Sequence, residues 1–214
     1  MFLSLGSNLG NRAQYLQHAL FLLHREVGQV VRVSPLYESP AWGFSSEPFY
    51  NICAELHTDL PLEVLLPKLH AIEARLGRVR TSQPSEGYKA RTLDIDILYY
   101  GDRVVQTDTL CVPHPQLAQR RFVLQPLADI APDFVDPIKG QTINQLLQVC
   151  PDTSTLTVVK QDFTLPMNKA NTPYHYITIE GNIGAGKTSL ATRLAGDLSG
   201  RLLLEAVSYT HLRA

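Results

Sequence analysis

Apolar residues between Met1 and Val105 keep two rhythms in a fixed order, and that order leaves few folds open. Met1 to Leu5 is a short apolar stretch that begins inside the expected first strand and runs into the turn Gly6-Ser7-Asn8-Leu9-Gly10-Asn11. Leu16, Ala19, Leu20, Leu23 and Val27 then recur at helical spacing, with Gly28 placed to end the helix. Val30 to Glu38 reads as one strand, and Ser39 to Pro48 as a loop rich in turn residues. Tyr50, Ile52, Ala54 and Leu56 alternate with Asn51, Cys53, Glu55 and His57, the period of a half-buried strand. Leu62, Leu65, Leu66, Leu69, Ile72 and Leu76 return to helical spacing up to Gly77, and Pro67 among them predicts a kink or a late start. Leu93 to Tyr100 reads as a strand, with Gly101-Asp102 as a two-residue hairpin turn into Val104-Val105. Strand, helix, strand, strand, helix, strand predicts an α+β fold: a ferredoxin-like βαββαβ sheet with its helices on one face.

The remainder of the chain changes character. Pro, Thr, Asn, Asp and Lys without sustained period mark a linker, assigned to 159–174 between a domain over 1–158 and a fragment over 175–214. The whole chain has 214 residues, with 19 Lys and Arg against 20 Asp and Glu. That balance argues against a basic surface for nucleic acid over the whole chain, leaving only a local basic groove open. Cys53, Cys111 and Cys150 are scattered and lack metal-type spacing, as expected of reduced thiols in a cytoplasmic protein. No apolar run approaches the roughly 20 residues of a membrane helix, and the first residues lack the features of a signal peptide.

Asp94 and Asp96 stand two apart on a strand, so both carboxylates leave the same face while Leu93, Ile95 and Ile97 fill the other. At about 6–7 Å and an effective dielectric near 20, the two charges repel by about 2.5 kcal/mol. A cation should offset this, and hard divalent ions carrying phosphates suit paired carboxylates. Arg75, Arg78, Arg80, Lys89 and Arg91 lie just upstream, and the arginine fork matches phosphate oxygens. Taken alone, Asp-x-Asp is better read as the solvated face of an edge strand, paired with nearby arginines. The longer run Arg91-Thr92-Leu93-Asp94-Ile95-Asp96, following Gly77-Arg78-Val79-Arg80, is more particular.

Together with Leu5-Gly6-Ser7-Asn8-Leu9-Gly10, Glu38-Ser39-Pro40, Phe49-Tyr50-Asn51, Val112-Pro113-His114 and Arg120-Arg121-Phe122, these segments resemble the 6-hydroxymethyl-7,8-dihydropterin pyrophosphokinase family over residues 1–158. The resemblance implies transfer of a pyrophosphoryl group from ATP to the pterin hydroxymethyl in folate biosynthesis, releasing AMP. It places Asp94 and Asp96 on two Mg²⁺ ions, and Arg80 and Arg91 on the phosphates. Arg78, His114 and Arg120 would close the nucleotide site, with His70 and Glu73 at nucleotide-contact positions. Phe49 and Phe122 would flank the pterin, and Asn51 with the backbone at Ser39, Pro40 and Trp42 would read its amide edge. Tyr88 stands where some members carry tryptophan, while Thr109 and Cys111 replace polar or basic nucleotide contacts. Loops over 39–48 and 81–90 are expected to close on binding. Without the family, His114 reads as a turn residue, Phe49 and Phe122 as core, and Glu73 as part of a solvated helix face.

Gly181-Asn182-Ile183-Gly184-Ala185-Gly186-Lys187-Thr188 fits the phosphate-cradling pattern G-x-x-x-x-G-K-[ST], between an apolar strand (Tyr176–Glu180) and a helix (Lys187–Leu198). This segment resembles the start of the deoxynucleoside kinase family, with Glu205 near that family's candidate base. About forty residues follow the linker, too few for that fold to bury its faces. A poorly ordered or loosely docked fragment without nucleoside kinase activity is expected, closing on Val207–Ala214, which does not match the family. Two other readings stand beside the leading one: the second glycine loop as the working site, or a ferredoxin-like module that binds without turnover. The expected partners are small molecules, with neither nucleic acid nor membrane.

Overall fold

A computed structural model of the chain describes residues 1–43, 46–79, 90–165, 178–179 and 186–197. It divides into two compact units, Met1–Pro166 and Met167–Ala214. In the first, β1 (Phe2–Ser7), α1 (Arg12–Glu26), β2 (Gln29–Val33), β3 (Leu36–Ser39), β4 (Phe49–His57), α2 (Leu62–Arg75) and β5 (Asp94–Tyr99) follow the order of the apolar rhythms. The strand expected over Val30–Glu38 is two strands, because Pro35 cannot donate to a ladder. The break is held by Ser34, whose backbone N–H donates to Cys53 O at 2.9 Å and whose Oγ accepts from Cys53 N at 2.9 Å. Helix α2 starts at Leu62 without delay and runs through Pro67. Pro67 lies on its exposed side, where water can serve the carbonyl of Glu63 left without a donor.

With a later strand, β8 (Thr157–Val159), these strands form one six-stranded sheet in the order β5-β1-β4-β3-β8, with β2 also on β4 and every pairing antiparallel. Strand β8 covers the outer edge of β3. Beyond it, Phe163 packs on the core and Gln17 exchanges two hydrogen bonds with the backbone of Thr164, at 2.8 and 2.9 Å. Residues that composition assigns to a linker from 159 onward are thus bonded to the first unit as far as Thr164. The hairpin expected at Gly101-Asp102 is not formed. Val105–Gln106 (β6) pairs instead with Cys111–Val112 (β7). Backbone groups of β5 that do not meet β1 are bonded elsewhere, Ile95 N to Glu73 at 2.8 Å and Leu98 O to the backbone of His114 at 3.1 Å.

Helices α1 and α2 bury Leu16, Leu20, Leu23, Leu65, Leu69 and Ile72 against Leu3, Leu5, Ile52, Ala54, Ile95 and Ile97 on one sheet face. The other face is covered over half its length. There α3 (Arg121–Ile130) and α4 (Ile143–Gln148) close over Phe2, Cys53, Leu98 and Tyr99. In the second unit α5 spans Lys187–Asp197, and Gly186 before it takes φ +75, the left-handed region that glycine favours. The strand reading over Tyr176–Glu180 falls mostly outside the described residues, as do Gly181 to Ala185 and residues 198–214.

Candidate active site

Side chains alternate across a strand, so each strand carries one row to the half-covered face. Along β1 that row runs Phe2, Ser4, Gly6; along β4, Cys53, Asn51; along β5, Leu98, Asp96, Asp94. The register puts Ser4 opposite both Cys53 and Asp96, and Gly6 opposite both Asn51 and Asp94. The rows therefore turn from apolar to polar at nearly one level. Helices α3 and α4 take the apolar half, and the polar half becomes the floor of a cleft.

Ser4 and Gly6 lie at the centre of that floor, with Asp94, Asp96 and Arg91 to one side. Ser39, Pro40, Trp42, Phe49 and Asn51 form the opposite side, and Arg120 and Phe122 enter from the start of α3. All of these but Ser4 and Gly6 are site residues expected from the sequence. A Cβ on Gly6 would stand 3.4 Å from Asn51 Oδ1 and 3.6 Å from Phe49 Cδ1, so glycine keeps the floor low beside the amide. Asn51 is buried, and its Nδ2 donates to Ser39 Oγ at 2.9 Å.

The charges are tightly arranged. Arg91 Nη1 donates to Asp94 Oδ2 at 2.5 Å, and Arg78 bridges Asp94 and Glu73. Glu73 is fully buried and accepts the Ile95 backbone N–H at 2.8 Å. The solvated helix face read from the sequence is therefore corrected at this position: a strand amide and an arginine satisfy the carboxylate in the interior. His70, one turn earlier on α2, is half-buried and does not line the cleft, nor do Glu73 and Arg78. Burial, and then the neighbouring Asp94, push the Asp96 carboxyl up to about 7. Burial, and then the Arg120 guanidinium, push His114 down to about 4. The His114 Nδ1 accepts from Gln116 N at 3.2 Å, which places the ring proton on Nε2. Arg120 is buried, bonded to Gln116, with its guanidinium 4.9 Å from the Trp42 ring centre and 5.8 Å from that of Phe122.

Asn8, in the glycine turn, has no role that the sequence assigns, and the structure supplies one. Its Nδ2 donates to Ser46 Oγ at 2.9 Å and to Glu47 O at 3.2 Å, while its Oδ1 accepts from Arg91 N at 2.7 Å. One buried amide thus ties the loop on the aromatic side to the arginine on the charged side. An asparagine inside a glycine-rich turn was the available signal. Arg80 and Tyr88 lie outside the described residues. Lys187 and Thr188 open α5 in the second unit.

One open half-face of an antiparallel α+β domain thus joins an aromatic wall to a carboxylate pair, of which Asp94 is bound by Arg78 and Arg91. The 7,8-dihydro-6-hydroxymethylpterin-pyrophosphokinase (HPPK) family matches residues 2–132, and the chain belongs to that family. It is 43% identical over 145 residues to a 2-amino-4-hydroxy-6-hydroxymethyldihydropteridine pyrophosphokinase of Synechocystis sp., covering 67% of this chain and 72% of that one. A protein of the same description from Porphyromonas gingivalis is 43% identical over 134 residues, 62% of this chain and 90% of the relative. The folic acid synthesis protein fol1 of Pneumocystis carinii is 39% identical over 144 residues, and this chain spans only 19% of its length. In fold, the HPPK-DHPS crystal structure from Plasmodium falciparum matches with a TM-score of 0.56 at 16% identity, over 69% of this chain and 43% of that one. No helix among the described residues is long and apolar enough to cross a membrane.

Proposed function

We propose that the chain transfers the pyrophosphoryl group of ATP to the hydroxymethyl oxygen of 6-hydroxymethyl-7,8-dihydropterin, releasing AMP, as a step of folate biosynthesis in the cytoplasm. The observation that carries this reading is the division of one cleft into two chemistries. Two carboxylates, one of them bound by arginines, stand on one side of Gly6, and an amide among aromatic rings on the other. A flat heterocycle bearing an amide edge suits Phe49, Phe122 and Asn51, with Ser39, Pro40 and Trp42 at its rim. A triphosphate suits Arg91 and Arg120, and Arg78 fixes the Asp94 carboxylate that faces it; the family resemblance adds Arg80 and His114 to the nucleotide side, whereas His70 and the fully buried Glu73 stand away from the cleft lining.

The donor set also fits Mg²⁺. Asp94 and Asp96 offer hard oxygens from one face, and burial of Asp96 beside Asp94 makes a cation the natural partner. No cluster of three or more His, Cys, Asp or Glu among the described residues could hold a metal alone, so phosphate and water oxygens would complete the shell. When bound there with ATP, two Mg²⁺ ions supply charge neutralisation at the phosphate oxygens. The protein's own part is positioning: the arginines hold the phosphates where charge spreads during transfer, and the aromatic wall aims the hydroxymethyl at the β-phosphorus. The family resemblance would add Tyr88, which lies outside the described residues, at a position beside both substrates.

For residues 175–214 the proposed reading is the start of a deoxynucleoside kinase. It is supported by the spacing from Gly181 to Gly186, Lys187 and Thr188 and by a helix that starts at Lys187 behind a left-handed glycine. The test of the main reading is an AMP-release assay. AMP, and not ADP, should appear only when ATP, Mg²⁺ and the hydroxymethyl pterin are all present. Asp96→Ala should lower kcat by a factor on the order of 100 or more with the fold intact, and retained AMP formation would refute the metal assignment.

A further inference from the structure

One guanidinium on the far side of the sheet reaches three places on which the cleft depends. The turn after β1 brings it there: Gly10 takes φ +63, and Asn11 caps α1 by accepting from Gln14 N at 3.2 Å. Arg12 is therefore the first residue of α1, set beneath the near ends of β3 and β4. Its Nη1 donates to the Pro48 carbonyl at 2.7 Å, and its Nη2 pairs with Glu38 Oε2 at 2.9 Å. Its guanidinium carbon also stands 3.6 Å from the centre of the Tyr50 ring. None of these contacts is to a cleft-lining residue. Each contacted residue, however, is the chain neighbour of one: Glu38 of Ser39, Pro48 of Phe49, and Tyr50 of both Phe49 and Asn51. Glu38 and Tyr50 are also register partners, as are Ser39 and Phe49. Because side chains alternate, holding Glu38 and Tyr50 on one face fixes where Ser39, Phe49 and Asn51 stand on the other.

We infer that Arg12 is a positioning residue for the aromatic and amide wall of the cleft, acting through the sheet on Ser39, Phe49 and Asn51; the inference rests on the pterin reading of that wall. Three contacts in three directions need a planar fork with a flat face, which lysine lacks. The wall-setting contacts do not reach the arginine–aspartate side, so the two substrates should respond differently.

The experiment measures pterin and non-hydrolysable ATP analogue binding, with amide hydrogen exchange on the unliganded chain, for the natural sequence, Arg12→Met, Arg12→Lys and Glu38→Gln. Arg12→Met should weaken pterin binding about 10-fold or more through misplacement of the wall, leave nucleotide affinity within about 2-fold, and speed exchange over 48–51 but not over 94–99. Arg12→Lys and Glu38→Gln should lie between. Equal losses for both substrates, unchanged pterin affinity, or unchanged exchange over 48–51 overturns the role. A natural chain that binds the nucleotide analogue and no pterin sinks the functional reading instead, while the exchange arm still decides whether Arg12 holds the wall.

Discussion

His114 stays neutral beside the charges of Arg120 and Asp94, and that has a price in acid. Its folded-state pKa of about 4 lies below the ordinary histidine value, with burial as the first cause and Arg120 as the second. Between pH 6.5 and 4 the unfolded chain binds a proton at this site that the folded chain refuses, so stability falls as pH falls through that window. From pH 7 to 4.5 the loss from this group should be on the order of 2 kcal/mol. Urea unfolding of the natural chain and His114→Asn at both pH values isolates it. The natural chain should lose more stability than the variant on acidification, and equal losses would show that His114 does not carry the effect. At this scale the sequence is legible wherever a residue's placement follows from its position on a strand. Asp94 and Asp96 share a face by parity alone, and so do Phe49 and Asn51. It was read poorly where the partner is remote. Glu73 looks like helix surface until Ile95 N and Arg78 are brought to it, and Asn8 and Arg12 act on residues more than twenty positions away.

Elements show the same division. Strand and helix order was legible because each rhythm is a local property of the chain. The β6–β7 ribbon and strand β8 were not, since pairing depends on which distant edge stands available, whereas the split between β2 and β3 carries a local mark in Pro35. Helices α3 and α4, which decide what half of the second face remains open, had no assigned place in the sequence reading. Strand β8 makes a prediction of its own. It pairs with Leu36 to Glu38, immediately before Ser39, and brings Val159 and Phe163 onto the core. A chain ended at residue 156 should be less stable than one ended at 165 by about 2 kcal/mol, the worth of partly buried apolar side chains. Its pterin binding should also weaken, because the end of β3 would lose a neighbour. Urea unfolding and pterin titration of the two chains check this, and equal stability would show that β8 only decorates the edge.

At the scale of the molecule, the uneven cover of the sheet is the governing fact. One face carries two helices along its length; the other carries helices over the apolar half only. On the proposed reading, the pterin and the triphosphate are what lies against the remaining half, so binding should stabilise the whole first unit. At 100-fold excess over Kd a ligand that binds only the folded chain adds about 2.7 kcal/mol. Melting curves should rise with pterin and ATP analogue together more than with either alone, and Asp96→Ala should lose the nucleotide-dependent part.

On the proposed reading, that half-roofed sheet makes nutrition a part of the architecture. A domain whose second layer would be partly lent by its substrates is a sounder building when they are plentiful. Where they are scarce, the same chain opens more often, and proteases, which cut the open form, become the readers of its substrate supply.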